Sequence, residues 1–407
     1  MKRILLIVIF ISLVGCKKEY QAENKIKTDV SFLASDDLEG RQTGTEGEKK
    51  AAEYIANRFK EMGIEAKGTD GYYQDFSFKP KTDPHQEIEY TVTGTDSTVN
   101  GRNVVAFLDN NASKTIVVGA HYDHLGYGAE GSLYRGETAI HNGADDNASG
   151  VAVMLNLAAK LKESNNGNNY LFIAFSGEEM GLLGSNYFAK NPSIDAESIN
   201  YMINMDMVGR LNADSTLAVY GVGTSPIFKQ VINASNTNFK IVENESGVGP
   251  SDHTSFYLID VPVLHFFTGQ HEDYHKPGDD SDKLNYEGMD LISDYIYDIL
   301  TDLDDNGELA FRKTKNESED VPRFRVGLGV IPDYLYDGEG MRIDGVSEDK
   351  PAQKAGLQKG DIVIQLGDST IVDMMSYMRA LSVFEEGNTT KVIVDRNGER
   401  IEAEIKF

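Results

Sequence analysis

The sequence predicts an α/β fold in which a mixed, largely parallel sheet carries helices on both faces, followed by a smaller β-rich domain. From about residue 100 to residue 300, short uninterrupted apolar runs alternate with helical stretches. Such runs are typical of strands that are covered on both faces of a sheet. The chain also has 407 residues, enough for two or three domains of about 150 residues each.

Two helices are predicted before residue 100, over 26–38 and 47–62, because apolar residues recur there at helical spacing and Gly63 follows as a stop signal. A third is predicted over 150–161. The predicted strands of the first domain are 104–108, 115–119, 170–175, 201–205, 217–220 and 261–267.

The composition excludes some classes of protein. The 39 Lys and Arg residues stand against 65 Asp and Glu residues, which gives a net charge of −26. A nucleic-acid-binding protein needs a cationic surface, so nucleic acid is not an expected partner. Cys16 is the single cysteine of the sequence, and an intramolecular disulfide is therefore impossible.

The first 16 residues are typical of a secretion signal. Lys2 and Arg3 precede an apolar run over 4–14, which is too short for a membrane-spanning helix. The run ends in Leu-Val-Gly-Cys, which resembles the lipobox of bacterial lipoproteins, where the cysteine is acylated. We expect a signal peptide over 1–16, a tether over 17–27 and an extracytoplasmic protein, in the periplasm or at the cell surface, anchored through Cys16. An ordinary signal with Cys16 as a free thiol is the alternative.

Imidazole and carboxylate side chains follow the ends of the predicted strands. In open α/β sheets the carboxyl ends of the strands form the ligand crevice, so we expect these side chains to converge. Such a group, without thiolates, suits a divalent cation and zinc first. A bridging carboxylate would allow two ions that polarise a carbonyl and supply hydroxide at neutral pH. The candidate metal ligands are His121, Asp146, Glu179, Asp206 and His275.

The neighbouring acids Glu178 and Glu179 can take different roles, because one can bind a metal while the other accepts a proton from water. Asp123 is placed to accept the ring N–H of His121 and fix its tautomer. Taken singly, the residues have other interpretations. Asp145 and Asp146 could cap the following helix, and the paired glutamates could be solvated surface.

Several segments, taken together, resemble the motifs of the di-zinc aminopeptidase family, over roughly residues 28–300. That family, with a fold of the zinc-peptidase type, also includes glutamate carboxypeptidases and the one-zinc glutaminyl cyclases. The segments are GAHYDH (119–124), GADDNASG (143–150), SGEEMGLLGS (176–185), NMDMVG (204–209), SDH (251–253) and YHKPGDD (274–280).

The resemblance implies two Zn²⁺ ions per chain. It makes Asp146 the bridging carboxylate and places His121 and Asp206 on different ions, with Glu179 and His275 completing the two coordination shells. It also makes Glu178 the general base that activates water for attack on the N-terminal peptide bond. Peptides would be the substrates, with the free amine held among acids near one zinc.

One departure from the family concerns the residue that stabilises the oxyanion. Some members place a tyrosine three residues before the SDH motif, where this chain has Val248. Others use a tyrosine directly before the last histidine ligand, and Tyr274 occupies that place. We therefore assign the oxyanion role to Tyr274. A packing role for its ring is the alternative.

The C-terminal region differs from the rest in composition and in the lengths of its apolar runs. Segment 302–323 is polar and acidic, and short strand-like runs with two helical pieces follow it. We therefore expect a peptidase domain over 28–305, a linker over 306–323 and a second domain over 324–407. The second domain resembles the PDZ domains of bacterial secreted proteases, which implies a groove for a peptide C-terminus. The residues implied in that groove are Gly327, Leu328, Gly329 and Val330.

Three functions of different classes follow from these observations. The first is a secreted, lipid-anchored zinc aminopeptidase with a PDZ domain. The second is a one-zinc glutaminyl cyclase, against which the absence of tryptophan counts. The third is an inactive peptide-binding homologue, against which the complete ligand set counts. Carboxypeptidase and dipeptidase specificity, a PDZ domain that binds no peptide, and the oligomeric state stay open.

Overall fold

The computed structural model describes residues 25–80, 90–91, 98–128, 131–164, 167–315, 325–333, 335–336, 338–347 and 349–407. The predicted signal peptide, Cys16 and most of the tether lie outside these residues. No helix in the described ranges combines the length and apolar character that crossing a membrane requires.

Nine α-helices lie in the described residues: α1 Ile26–Leu33, α2 Glu46–Glu61, α3 Gly150–Glu163, α4 Leu183–Lys190, α5 Phe228–Ala234, α6 His253–Tyr257, α7 Tyr286–Asp302, α8 Pro351–Lys354 and α9 Met374–Leu381. The strands of the first domain are β1 Glu65–Ala66, β2 Tyr73–Phe78, β3 Val99–Leu108, β4 Thr115–His121, β5 Asn169–Phe175, β6 Ile199–Met205, β7 Thr216–Tyr220, β8 Lys240–Glu243 and β9 Val263–Phe267.

The first domain is built on one sheet with the strand order β1-β3-β5-β4-β6-β9-β7-β8, and β2 pairs with β3. Its centre is parallel, since β4 pairs in parallel with both β5 and β6, and β6 does so with β9. Every residue of β4, β5 and β6 is buried. The predicted α/β class, with a mixed and largely parallel sheet, is confirmed.

Both faces of the sheet are covered, which explains why its central strands are apolar throughout. One face packs against helices α1, α2, α3 and α7 through a core that includes Ile55, Leu157 and Ile296. The other face packs against α4 and α6 through Phe188 and Phe256. This arrangement leaves the carboxyl ends of the central strands as the place where polar side chains gather.

The predicted helix over 26–38 is wrong in its second half. Helix α1 ends at Leu33, and a 3₁₀ segment with left-handed backbone at Glu39 and Gly40 follows over Asp36–Arg41. A side chain on Gly40 would collide with the backbone of His141 and Gly126. The backbone turns at Gly40, where the loops that contain Gly126 and His141 leave no space for a side chain.

The strands of the second domain are β10 Val330–Pro332, β11 Met341–Val346, β12 Ile362–Leu366, β13 Ser369–Thr370, β14 Thr389–Arg396 and β15 Glu399–Lys406. They form a sheet whose described pairings are all antiparallel, in the order β10-β11-β12-β14-β15 with β13 beside β12. Helices α8 and α9 close its own core, which includes Leu328, Val363 and Ile405. The predicted β-rich domain is confirmed.

The first part of the predicted linker packs against the first domain. Leu309 is 8% exposed, and its N–H donates to Asn200 Oδ1 at 2.8 Å. The N–H of Arg312 donates to the carbonyl of Thr224 at 2.7 Å, and that of Thr314 to the hydroxyl of Tyr257 at 3.0 Å. Residues 316–324 lie outside the described part of the chain.

A buried carboxyl on α2 gives a testable dependence of stability on pH. Glu48 accepts the N–H of Gly44 at 2.6 Å and the hydroxyl of Ser176, and burial raises its pKa from the usual 4.5 to about 8. Because the folded pKa lies above the unfolded one, stability is fully present below pH 4.5 and is lost as the pH rises toward 8.

Replacing Glu48 by Gln should remove this loss. As the pH rises from 5 to 9, we expect the free energy of unfolding of the variant to increase by on the order of a few kcal/mol relative to that of the wild type. Unfolding by denaturant at both pH values measures the change. Glu53→Gln, an exposed position on the same helix, is the control. A difference between wild type and Glu48→Gln that is the same at both pH values would refute the assignment.

Candidate metal centre

The predicted site residues are brought together at the carboxyl ends of the central strands. His121 is the last residue of β4, and Asp206 directly follows β6. Glu178 and Glu179 follow β5 by three and four residues, and Asp146 lies in the turn that precedes α3. His275 arrives from the loop after β9.

One group of ligand atoms is centred on His121. Its Nε2 lies 3.3 Å from Asp146 Oδ1 and 3.4 Å from Asp206 Oδ1. These three side chains lie close enough together to share one metal ion. The expectation that His121 and Asp206 bind different ions is therefore wrong, because the parallel neighbours β4 and β6 bring both side chains to the same side of Asp146.

A second group lies on the other side of Asp146. His275 Nε2 is 3.2 Å from Asp146 Oδ2 and 3.3 Å from Glu179 Oε2. His124 Nδ1 lies 2.7 Å from Glu179 Oε1, and His124, Asp146 and Glu179 also have the spacing of a metal site. Asp146 turns one carboxylate oxygen to each group, which is the geometry of a bridging ligand.

The second nitrogen of each of two histidines is held by a backbone carbonyl. His121 Nδ1 lies 3.2 Å from the carbonyl oxygen of Asp123, and His275 Nδ1 lies 2.9 Å from that of Gly131. Such contacts fix the tautomer that leaves Nε2 free to bind a metal. The acceptor nearest to His121 Nδ1 is thus the backbone carbonyl of Asp123. The carboxylate of Asp123 is farther away, with its Oδ1 at 3.7 Å.

The carboxylate of Asp123 has other partners. Its Oδ1 accepts the backbone N–H of Glu178 at 3.1 Å, and its Oδ2 accepts the hydroxyl of Thr43 at 3.0 Å. Asp123 therefore positions the segment that carries Glu178. The side chain of Glu178 itself lies 3.9 Å from His121 Nε2, farther than the ligand contacts of Glu179.

The neighbouring glutamates experience opposite electrostatic environments. Burial, Asp206 and Glu179 raise the pKa of Glu178 well above its usual value, against the effect of His121. Burial also acts to raise the pKa of Glu179, but the rings of His275 and His124 outweigh it and lower this pKa to about 2. In the metal-free site the histidines thus hold Glu179 as a carboxylate, whereas the surroundings of Glu178 favour its protonated form.

The turn around Asp146 is held by a second layer of acids. Asp279 Oδ2 accepts the N–H groups of Asp145 and Asp146 at 2.9 and 3.0 Å. Asp145 Oδ1 accepts the N–H of Gly209 at 2.6 Å, and its Oδ2 lies 3.1 Å from His271 Nε2. Neither Asp145 nor Asp146 caps α3, whose N-cap is Ser149. The capping alternative is therefore excluded.

A buried arginine joins the loops of the site from behind. Arg41, 1% exposed, donates to the carbonyl oxygens of Tyr122 at 2.7 Å, Asn142 at 2.6 Å and Gly143 at 3.0 Å, and to that of Leu33. The carbonyls of Tyr122, Asn142 and Gly143 lie next to His121 and before Asp146, whereas Leu33 is the last residue of α1. Arg41 thus ties the two metal-facing loops to the end of α1.

Tyr274 borders the same cavity as Glu178 and His275. Its ring stacks on that of His275, with 3.8 Å between ring centroids and 25° between planes. Burial and the neighbouring carboxylates raise its pKa well above the usual value, so that the phenol keeps its proton. The stacking on His275 agrees with a packing role for the Tyr274 ring. Its position on the cavity also allows its hydroxyl to donate a hydrogen bond to an oxyanion there.

The cavity has a volume of about 610 Å³ and extends from the metal-facing side chains to the second domain. The first domain contributes Asp146, Glu178, Glu179, Asp206, Tyr274 and His275. Val248 and His265 of the same domain also line it. A cavity of this size falls within the range of small-ligand sites, about 300–1,000 Å³.

The predicted PDZ groove residues lie at the edge of the second sheet. Leu328 is fully buried in the domain core, and Gly329 has a left-handed backbone with the Lys350 side chain packed over it. Val330 begins β10, the edge strand, which pairs with β11. No described strand lies beside the other edge of β10.

Sequence reasoning missed four residues that shape the site: His124, His271, Asp279 and Arg41. His124 and Asp279 lie within the quoted motifs, so their positions were a usable signal. Arg41 and His271 lie in no motif. Their contacts join residues 102 and 126 positions apart, which only the folded chain reveals.

Residues 103–300 match Peptidase family M28, and residues 309–407 match the PDZ domain. The chain therefore carries a domain of peptidase family M28, a family of zinc aminopeptidases, followed by a PDZ domain.

Among curated proteins, the chain is 30% identical over 207 residues to a probable leucine aminopeptidase of Arthroderma otae, covering 46% of this chain and 53% of that protein. The chain spans about half the length of the curated relatives it matches.

Two solved structures show the shared fold. An aminopeptidase from Aneurinibacillus sp. strain AM-1 has a TM-score of 0.52 at 19% identity, over 72% of this chain and 96% of that one. A glutaminyl cyclase from Bacteroides thetaiotaomicron has a TM-score of 0.55 at 16% identity, over 68% and 96% respectively.

Proposed function

We propose that this protein is a zinc-dependent aminopeptidase that hydrolyses the N-terminal bond of peptides, with Glu178 as the general base. The observation that carries the proposal is the pair of ligand groups on the two sides of Asp146, with Glu178 beside them. The match to peptidase family M28 and the names of the relatives support it.

The donor set fits zinc. It consists of imidazole nitrogens and carboxylate oxygens, both common zinc ligands, and it contains no thiolate. We assign one ion to His121, Asp146 and Asp206, and the other to Asp146, Glu179 and His275. His275 is preferred to His124 as a ligand because it borders the cavity, whereas His124 is 1% exposed behind Glu179.

When bound, zinc at these ligands would polarise the peptide carbonyl and lower the pKa of the attacking water. Glu178 accepts the proton of the attacking water and then delivers it to the leaving amine. Its side chain borders the cavity but lies outside the closest ligand contacts, which keeps it available for this transfer. Tyr274 donates its hydroxyl hydrogen to the developing oxyanion.

Asp123 acts through Glu178 and not on the substrate. Its carboxylate holds the N–H of Glu178, and its carbonyl faces the Nδ1 of His121. The residue is thus a positioning residue for both the base and one metal ligand.

Removal of metal should abolish activity. We expect dialysis against a chelator to reduce hydrolysis of leucine p-nitroanilide at least about 100-fold, because the remaining groups cannot polarise the carbonyl. Two equivalents of zinc should restore it. N-acetylated substrates and peptides blocked only at the C-terminus, tested beside it, separate aminopeptidase from carboxypeptidase activity. Hydrolysis that survives complete metal removal would contradict the proposal.

A one-zinc glutaminyl cyclase is the second candidate, because a protein of that name shares the fold. The metal groups on both sides of Asp146 favour the peptidase. Zinc analysis and cyclisation of an N-terminal glutamine separate the two. One zinc per chain together with cyclisation would replace the peptidase assignment.

We also propose that the protein works outside the cytoplasm, anchored to a membrane through an acylated Cys16. The support is the sequence alone, with its short apolar run ending in a single cysteine. Globomycin-sensitive processing and loss of membrane association in Cys16→Ser would test this proposal.

A further inference from the structure

The cavity above the metal centre has a second wall, which the PDZ domain supplies. Residues of β11 and α9, together with the loop between β10 and β11, border the same space as Glu178 and His275. The two domains also touch beside this space. A side chain built on Gly269 of the first domain would meet Leu335 Cδ1 of the second at 2.8 Å.

This second wall is largely apolar. Met374, Met375 and Met378 of α9 face the cavity. Arg342, Asp333 and Asp373 also line it. Arg342 Nε lies 2.7 Å from Asp333 Oδ2, and Asp373 caps α9, with its Oδ1 accepting the N–H of Ser376 at 2.7 Å. We call the three methionines of α9 the methionine face.

The two ends of the cavity therefore differ in chemistry. Acidic side chains and the metal ligands lie at one end, and polarisable apolar side chains lie at the other. Methionine adapts its shape to varied apolar partners. The cavity gives a peptide whose free amine and first carbonyl lie at the metal centre room to extend toward α9.

We propose that the methionine face binds the side chain that follows the scissile bond and selects apolar residues there. This inference rests on the proposed aminopeptidase function. It makes the PDZ domain part of the substrate site, in addition to any role of its own groove. Substrates are then short peptides with an apolar second residue.

Met375 is the best position for a test, because it lines the cavity but lies outside the core of the second domain. The assay measures kcat/KM for the tripeptides Leu-Leu-Gly and Leu-Lys-Gly, with leucine p-nitroanilide as the substrate that reports the chemistry. The wild type should prefer Leu-Leu-Gly. In Met375→Glu, the kcat/KM for Leu-Lys-Gly divided by that for Leu-Leu-Gly should rise about tenfold or more. The carboxylate loses hydration when it packs against the apolar leucine, whereas it attracts the cationic lysine.

Two variants complete the experiment. Val383→Glu adds the same charge on a side chain that is 68% exposed outside the cavity, and it should leave the ratio unchanged. Met375→Leu should keep the wild-type preference. An unchanged ratio in Met375→Glu, or an equal change in Val383→Glu, would overturn the inference. If the wild type cleaves neither the tripeptides nor the nitroanilide, the proposed function itself fails.

Discussion

Replacing Glu178 by Gln is expected to lower kcat about 10²–10⁴-fold while both zinc ions stay bound. Gln keeps the size and polarity of the side chain but cannot accept the proton of the attacking water. Steady-state kinetics on leucine p-nitroanilide and metal analysis of the same preparation measure the two effects.

Glu179→Gln is the matched comparison, because it makes the same chemical change one residue along. Glu179 contacts His124 at 2.7 Å and His275 at 3.3 Å, so its loss should release one zinc ion. Activity retained in Glu178→Gln, or metal lost from it to the same degree as from Glu179→Gln, would remove the general-base assignment.

Arg41→Lys is expected to destabilise the first domain strongly. The guanidinium donates to four buried carbonyls, and a lysine cannot reproduce that planar fork. Each carbonyl left without a donor costs about 1–3 kcal/mol, so we expect a loss of roughly 3–5 kcal/mol and a fall in Tm of about 10 °C. Thermal unfolding of the metal-free proteins measures it.

Arg135→Lys, at an exposed position of the same domain, should leave the Tm unchanged. Because Arg41 holds the loops before Asp146 and after His121, its replacement should also weaken zinc retention during dialysis. A Tm within about 2 °C of the wild type would show that the carbonyls find other donors.

The sequence allowed the centre of the first domain and most of the site to be predicted. Continuous apolar strands such as β5 are readable because burial on both faces excludes polar residues. The polar residues that end them, such as Glu179 and Asp206, could be expected at one place because parallel strands share a carboxyl edge.

Other features depend on contacts that no local pattern reports. The edge strands β1 and β8 are short, β1 exposed and β8 half-buried, with no strong apolar signal. Segment 309–315 reads as a polar linker, but its backbone is held by Asn200 and Thr224. The assignment of His121 and Asp206 to one metal group also required the geometry of the folded sheet.

The substrate cavity could not be predicted for the same reason. Met375 reads as one apolar residue on an amphipathic helix. Its place on the same cavity as Glu178 depends on how the two domains meet, which spacing along the chain does not encode.

The metal assignment can be measured by crystallography of the zinc-loaded protein with anomalous scattering at the zinc edge. We expect two zinc ions about 3.5–4 Å apart with the carboxylate of Asp146 between them. One ion should lie beside His121 and Asp206, the other beside Glu179 and His275. A single ion, or ions bound away from Asp146, would contradict this assignment.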